Sequence, residues 1–148
     1  MGAPLEGLLY RSKIANRIGP LHMFLLVDRA RRANRAIDIT GQLIYLDHTF
    51  MHYLEGPAPA VEALWRILQR DPRHYETELL ARHPLRQRRF PGSPLVFSSN
   101  AYFQQYQMTG FAPAQADAMD KLLQSCLEVE HHRHRLPVVA CEGELRRS

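Results

Sequence analysis

The sequence predicts an α+β fold, a ferredoxin-like sandwich in which two helices cover one face of a mixed sheet, with further helices at the C-terminus. Short apolar runs with period-two alternation indicate strands. Two stretches with apolar residues at i, i+3, i+4 and i+7 indicate amphipathic helices. These segments follow one another in the order βαββαββ. That order is typical of two helices packed on the same side of a sheet.

The first two elements are a strand and a helix. Leu5 to Ser12 alternates in polarity, and we expect this strand to turn Tyr10 toward the helices. Gly19-Pro20 suits a helix start, and we predict a helix from Leu21 to Arg35. Asn34 extends its apolar stripe. The stripe consists of Met23, Leu26, Val27, Ala30 and Ala33.

The stretch from Asp38 to Gly56 predicts a β-hairpin. Its two apolar runs, Gln42–Leu46 and Thr49–Leu54, are separated by a single Asp-His pair. That spacing is typical of two antiparallel strands joined by a tight turn. Alternation along the second strand places His52 on the inner face, between two apolar neighbours. The outer face then carries Met51, Tyr53 and Glu55.

The second half repeats the pattern and then changes. A second amphipathic helix follows Gly56-Pro57 and stops at Asp71-Pro72. Tyr75–His83 is predicted as the fourth strand, and Leu95–Phe97 as a short fifth strand. After Ser98 we expect helices at Asn100–Gln107 and Pro113–Glu130, and a loosely ordered tail from Pro137. The second of these helices is amphipathic, so it needs a surface to cover, either the open face of the sheet or another subunit.

The chain therefore divides into residues 1–98, a folded domain, and residues 99–148, a C-terminal helical extension. Hydrophobic content of 45% and charged content of 23% are those of a soluble globular protein. We expect no membrane segment, because no apolar run approaches the ~18 residues that a span requires. Two cysteines, Cys126 and Cys141, are too few for a disulfide framework. These features favour a cytoplasmic protein with reduced thiols.

Net charge and side-chain chemistry exclude several functions. The net charge of +4 comes largely from clustered arginines, but no aromatic residues are interleaved with them to stack bases, so nucleic acid is not the expected partner. We expect no metal site, because His131, His132 and His134 lack the i, i+4 spacing of paired helical ligands. Neither cysteine lies in a recognisable nucleophile turn, and no carboxylate pair marks a cleft. We therefore expect no catalytic residues and no enzyme.

Three polar side chains are predicted on inward faces of the same layer: Tyr10, Asn34 and His52. Burying a polar group unpaired costs about 1–3 kcal/mol, so each needs a partner. For His52 the partner is either a protein acceptor or a bound ligand. For Asn34 the alternatives are a ligand contact or a helix C-cap. A flat aromatic molecule with a polar edge would satisfy all three while its ring fills the apolar gap.

These residues, in their order along the chain, resemble the BLUF family of blue-light sensors that bind a flavin. The resemblance covers about Leu5 to Phe97 and suggests a short stand-alone member. The matching motifs are Leu8-Leu9-Tyr10-Arg11-Ser12, Asn34 before Ile39-Thr40-Gly41, Phe50, Leu54-Glu55-Gly56, Asp71-Pro72-Arg73-His74 and Arg88-Arg89-Phe90. Residues 1–98 would then be a BLUF-like flavin-binding domain.

The resemblance implies a flavin between the two helices, FAD in the first instance, with FMN or riboflavin not excluded. Tyr10 would be the electron donor, and Asn34 would hold the pyrimidine end of the ring. Asp71, Arg73 and His74 would approach the ribityl and phosphate portions, where a cation is useful. Illumination in the family rearranges hydrogen bonds around the ring. The change then passes through the last strand to C-terminal helices or a partner.

The sequence also departs from the family pattern in its signalling site. His52 replaces the glutamine that reorganises on illumination, and neutral histidine has one donor and one acceptor that cannot repeat the exchange of an amide in the same geometry. Ser93 and Leu95 replace the tryptophan and methionine of the last strand, and Ala33 replaces a second asparagine. We therefore expect a flavin-binding sensory module with an impaired photocycle.

Two further expectations concern partners. The short type implied by the resemblance is often oligomeric, so we expect a homo-oligomer, and signalling requires a downstream protein partner that the sequence does not identify. The alternative function is a cofactor-free BLUF-like module for protein interaction or oligomerisation.

Overall fold

The computed structural model describes residues 2–14, 18–99, 111–113 and 116–128. Its elements are β1 (Leu5–Ile14), α1 (Pro20–Ala36), β2 (Thr40–Leu46), β3 (Thr49–Pro57), α2 (Ala58–Arg70), β4 (His74–Leu85), β5 (Val96–Ser99) and β6 (Phe111–Pro113). A third helix, α3, covers residues 118–128. The predicted α+β class and the βαββαββ order of the first seven elements are confirmed.

The strands form one mixed sheet in the order β4-β1-β3-β2-β5-β6. β3 pairs antiparallel with β1 on one side and with β2 on the other, so both of its backbone edges are used. β5 runs parallel to β2, and β6 runs parallel to β5. β3 is therefore central in the sheet, and the alternation of its side chains contributes residues to the cores on both faces.

The sequence did not predict β6. We predicted a helix from Pro113 to Glu130, but Pro113 ends β6 and the described helix begins at residue 118, so the predicted start was wrong. The physical reason is that β6 lies at the edge of the sheet, where a proline without an N–H is tolerated. The predicted Asn100–Gln107 helix and the tail from Pro137 lie outside the described residues.

The two faces of the sheet carry separate cores. The inner face, under α1 and α2, has two apolar clusters. The α1 cluster contains Ile14, Met23, Val27, Leu43, Tyr45, Phe50, Leu95 and Phe97. The α2 cluster contains Leu8, Tyr10, Ile39, Leu54, Val61 and Trp65. Alternation along β1 and β3 therefore turns their side chains as predicted.

The outer face is covered by α3 of the same chain. Its cluster contains Leu9, Ile44, Met51, Tyr53, Ala81, Leu122 and Cys126. The sequence analysis gave two alternative surfaces for the amphipathic C-terminal helix, the open face of the sheet and another subunit. In the structure, α3 packs on the open face of the sheet. None of the described helices is long and apolar enough to cross a bilayer.

Local backbone conformation explains the two tight connections. Asp47 and His48 both have positive φ, 49° and 63°, as in the two-residue turns that suit a twisted hairpin, so the predicted tight turn is confirmed. Asp38, after α1, also has a positive φ of 60°. Arg88 holds it there, because its guanidinium contacts the Asp38 carboxylate at 2.8 Å and the Asp38 carbonyl oxygen at 2.9 Å.

Ala33 is the one misplaced member of the predicted α1 stripe. It is exposed, whereas the next residue, Asn34, is buried. Successive residues on a helix are rotated by about 100°, so only one of the two can point into the sheet. The last turn of α1 therefore presents an amide to the interior and not a methyl group.

We expect Gly41→Ala to destabilise the sheet. Gly41 pairs with Leu54 across β2 and β3, and a Cβ at Gly41 would overlap the carbonyl oxygen of Tyr53. Overpacking costs roughly 1–3 kcal/mol, and backbone yields less readily than a side chain, so we expect a loss near the upper end of that range in urea denaturation. Gly2→Ala is the control, because nothing lies within 4 Å of that position. Wild-type stability in Gly41→Ala would contradict this strand register.

Candidate functional site

Tyr10 and His52 form the centre of the inner face. They are direct partners in the β1–β3 ladder, and both are buried, with 2% and 7% exposed. Nδ1 of His52 lies 2.9 Å from the hydroxyl oxygen of Tyr10. The two rings meet edge to face, with centroids 5.2 Å apart. The register of the two strands therefore fixes this contact.

Both side chains are uncharged in this environment. Burial, with a smaller contribution from the nearby His74, lowers the pKa of His52 to about 3. Burial also raises the pKa of Tyr10 well above its usual range, with an added effect from the Asp71 carboxylate. A neutral imidazole has one donor nitrogen and one acceptor nitrogen. If the phenol donates to Nδ1 of His52, then Nε2 carries the proton and points a donor away from Tyr10.

Nε2 of His52 is buried and has no hydrogen-bond partner among the described residues. The sequence left two partners open for His52, a protein acceptor or a ligand. The structure gives a protein partner to Nδ1 and none to Nε2. An unsatisfied buried nitrogen costs about 1–3 kcal/mol, so a polar ligand atom at this point would stabilise the site.

Asn34 is 4% exposed, and its side chain faces the interior. Nδ2 donates a hydrogen bond of 2.9 Å to the carbonyl oxygen of Pro94. The helix C-cap is Ile37, and the carbonyl oxygen of Asn34 accepts the N–H of Ile37 and of Ile39. The Asn34 backbone therefore takes part in the cap, while its side chain contacts the segment before β5. The described structure shows no contact between Asn34 and the Tyr10–His52 pair.

Asp71 and Arg73 form an ion pair where α2 ends. The Asp71 carboxylate accepts the backbone N–H of Arg73 at 3.0 Å and its Nε at 2.9 Å. These hydrogen bonds from Arg73 lower the pKa of Asp71. The guanidinium is half-exposed, so the carboxylate orients it at the surface beside the inner face.

His74 connects this ion pair to the strands. Its Nδ1 lies 3.0 Å from the hydroxyl oxygen of Ser12, and its ring centroid lies 5.6 Å from that of Phe50. Burial lowers the pKa of His74, although the Asp71 carboxylate acts in the opposite direction. Sequence reasoning placed Ser12 in a motif and on the strand face of Tyr10 but gave it no role in the site. Its place two residues after Tyr10, on the same face of β1, was the signal for its role.

Ser93 and Leu95 precede β5, so the fifth strand begins one residue later than predicted. The carbonyl oxygen of Ser93 accepts the N–H of Gly41 at 3.1 Å. Leu95 is buried in the α1 cluster, and its carbonyl oxygen accepts Nε of Arg31 at 2.9 Å. This segment is therefore fixed to α1 and β2. The signalling roles of Ser93 and Leu95 stay predictions.

The apolar packing of the inner face is divided between the two helices. None of the apolar clusters of the described residues joins α1 to α2; Tyr10 belongs to the α2 cluster and Phe50 to the α1 cluster. His52 lies between them and carries the unsatisfied Nε2. Trp65 of α2, which the sequence analysis did not single out for the site, packs against Tyr10 with ring centroids 5.2 Å apart. Apolar walls with one buried polar atom fit an aromatic ring with a polar edge.

A metal site finds no support in the described residues. No group of three or more His, Cys, Asp or Glu side chains is placed to hold a metal ion in that part of the chain. His131, His132 and His134 lie outside it.

Comparison with known proteins identifies the family. The model of the BLUF family, described as sensors of blue light using FAD, matches residues 5–96. The chain belongs to the BLUF family. The suspected resemblance is thereby confirmed, and the family is one of sensor modules.

One related protein and two solved structures support this family assignment. The chain is 28% identical over 126 residues to the photoactivated adenylate cyclase subunit beta of Euglena longa, a match that covers 85% of this chain and 14% of that protein. The structure of BlrB, a BLUF protein in its dark state, aligns with a TM-score of 0.63 and 26% identity over 84% of this chain and 96% of that one. BlrP1 of Klebsiella pneumoniae, solved with FMN and cyclic diGMP, gives a TM-score of 0.60 and 27% identity, over 82% of this chain and 30% of that one.

The chain thus spans about a seventh of the length of the Euglena longa cyclase subunit that it matches. BlrB is matched along nearly its whole length. The region of likeness is therefore the BLUF domain. The fold predicted from the sequence is also the fold of these neighbours.

The neutral state of His52 predicts a pH dependence of stability. Its pKa lies below the unfolded value, so the unfolded chain binds the extra proton and stability falls as pH drops from about 6.5 toward 3. His74 contributes with the same sign. We expect the free energy of unfolding of wild type, measured relative to that of His52→Gln, to decrease as the pH falls, by at most ~1.4 kcal/mol per pH unit. Parallel pH profiles of the two proteins in urea denaturation would contradict a buried neutral His52.

Proposed function

We propose that this chain binds a flavin between α1 and α2 and acts as a blue-light sensory module that signals by changing hydrogen bonds and protein contacts. The observation that carries the proposal is the buried Nε2 of His52, which has no partner among the described residues and lies between two apolar clusters. Membership of a family of blue-light sensors supports it.

Six residues are proposed to bind the cofactor: Tyr10, Asn34, His52, Asp71, Arg73 and His74. We propose FAD, the cofactor in the family description, with FMN and riboflavin as alternatives. Tyr10 and His52 would contact the ring edge. Asn34 would have to share its amide between the flavin and the Pro94 carbonyl that it binds here. Arg73 and His74 would approach the phosphate end.

The bound flavin would supply the blue-light chromophore, and the neighbouring side chains would move charge. Tyr10 is proposed to give up an electron to the excited chromophore. Losing an electron makes a phenol strongly acidic, and Nδ1 of His52, 2.9 Å from the hydroxyl oxygen, can take the proton. Nε2 of His52 would hold the flavin edge through its own hydrogen bond.

We propose that His52 impairs the photocycle. An amide can exchange its donor and acceptor groups at one position, whereas the two nitrogens of an imidazole lie on different sides of a ring. Here Nδ1 is already engaged by Tyr10 and the rings pack edge to face. Rotation of His52 would break both contacts. A light-induced state is therefore expected to be weaker or shorter-lived than with glutamine.

Output is proposed to leave through Ser93 and Leu95 to residues 99–148. Asn34 binds the carbonyl oxygen of Pro94, and Arg31 binds that of Leu95. A change at the flavin ring would therefore reach the start of β5 through α1. We further propose a homo-oligomer in the cytoplasm and a downstream protein partner. The division at residue 98 stays a proposal, and it falls within β5, Val96–Ser99.

The first test is the visible spectrum of the purified protein, in darkness and under blue light. We expect flavin bands with little or no light-induced shift in wild type, and a reversible shift to the red in His52→Gln. The reason is that the amide restores the exchange that the imidazole cannot perform.

The matched control is the double variant His52→Gln/Tyr10→Phe, which lacks the phenol and should bind flavin without a shift. If His52→Gln binds flavin but shows no shift, His52 is not the cause of the impairment. A protein that stays colourless after reconstitution with FAD, FMN and riboflavin would favour the cofactor-free interaction module.

A second prediction concerns the phosphate end. We expect Arg73→Ala to weaken binding of FMN and FAD about tenfold and to leave riboflavin binding nearly unchanged, because only the phosphorylated flavins offer a charge-assisted contact. The measurement is fluorescence titration with each flavin. Arg70→Ala is the control, since Arg70 is exposed at the end of α2. An equal loss for riboflavin would show that Arg73 does not contact the phosphate.

A further inference from the structure

Glu55 is a fully buried carboxylate on the outer face of β3. Each of its oxygens accepts two hydrogen bonds. Oε1 accepts the hydroxyl of Tyr53 at 3.1 Å and the backbone N–H of Arg89 at 2.8 Å. Oε2 accepts the hydroxyl of Thr40 at 2.9 Å and the backbone N–H of Phe90 at 2.8 Å. The carboxylate therefore fixes residues 89–90 to the central strand.

The side chain of Arg89 reaches the C-terminal helix. Nη1 donates to Sγ of Cys126 at 3.1 Å, and Nη2 donates to Oγ of Ser125. The guanidinium also lies over the ring of Tyr53, 5.1 Å from its centroid. Tyr53 therefore contacts Glu55 through its hydroxyl and Arg89 through its ring.

We propose that Glu55 and Arg89 form a latch through which β3 holds α3 on the outer face of the sheet. Arg89 is the positioning residue that contacts α3, and Glu55 fixes the backbone from which Arg89 extends. None of the four hydrogen bonds of Glu55 goes to the described residues of α3. A change at Glu55 therefore reaches the helix through Arg89, or through the Tyr53 ring beneath it.

The latch gives β3 a separate task on each face. His52 faces α1 and α2, and three residues later Glu55 faces α3. A role for the latch in light signalling would rest on the proposed function. The latch itself needs no flavin, and the test below uses the flavin-free chain. The latch and the proposed function can therefore fail independently.

The readout is the rate at which a thiol reagent labels Cys126. Cys126 belongs to α3, and its thiol is fully buried against the sheet, so it reacts when the helix leaves the sheet. The full chain carries Cys141→Ser to remove the second thiol. We expect Arg89→Met, which keeps the apolar stem and removes the guanidinium, to raise the labelling rate about tenfold, the factor for losing hydrogen bonds to a charged group.

Controls separate helix release from global unfolding. Arg86→Met removes an exposed arginine three residues earlier and should leave the rate unchanged. Arg89→Lys should restore part of the protection. Each variant is also unfolded in urea, and labelling that exceeds the globally unfolded fraction counts as helix release. Wild-type labelling in Arg89→Met would overturn the role of Arg89.

The coupling is tested through Glu55, whose four hydrogen bonds go to residues outside α3. Glu55→Gln replaces one carboxylate oxygen with an amide donor, which then faces the N–H of either Arg89 or Phe90, and we expect it to raise labelling about fivefold. Combined with Arg89→Met, its effect should largely disappear, because both changes act on the same contact. Tyr53→Phe, which removes only the hydroxyl, serves if Glu55→Gln does not fold. Independent, multiplicative effects would overturn the latch.

Discussion

The need to satisfy a buried carboxylate in the middle of the sheet determines much of this structure. Glu55 has no exposed surface, so its two oxygens require donors from the protein. Two come from side chains on β2 and β3, and two come from the backbone of residues 89–90. The long connection between β4 and β5 is thereby fixed over the outer face. The same connection positions α3 and the start of β5.

β3 carries a second buried polar side chain, His52, whose hydrogen bonding is incomplete. Glu55 has four donors, whereas His52 has one partner and one nitrogen without any among the described residues. The two residues are three positions apart on the same strand, so general packing quality does not explain the difference. Full satisfaction is what a structural polar group requires. The unmet Nε2 of His52 is instead the observation on which the proposed ligand site rests.

The sequence predicted the elements that periodicity determines and missed those that long-range contacts determine. Alternation in β1 and β3 placed Tyr10 and His52 on one face, and the structure joins them through the ladder. The hairpin turn and the end of α2 were also predictable from local chemistry. β6 was missed because a three-residue edge strand has no periodicity to detect. The partners of Glu55 were missed because Arg89 lies 34 residues away and contributes a backbone N–H, which every residue but proline has.

The two faces of β3 are mechanically connected because the strand is paired on both sides and cannot move at one residue alone. If a ligand at His52 shifts the equilibrium position of β3, the shift reaches Glu55 and changes the stability of the α3 contact. Linkage then requires the reverse effect with the same factor: release of α3 must alter the affinity of the site at His52. On the proposed function, His52 would determine how strongly light acts on β3, and Glu55 with Arg89 would determine how much of that action reaches α3. On the same proposal, a chain with an altered switch residue would still respond to binding of the ligand itself.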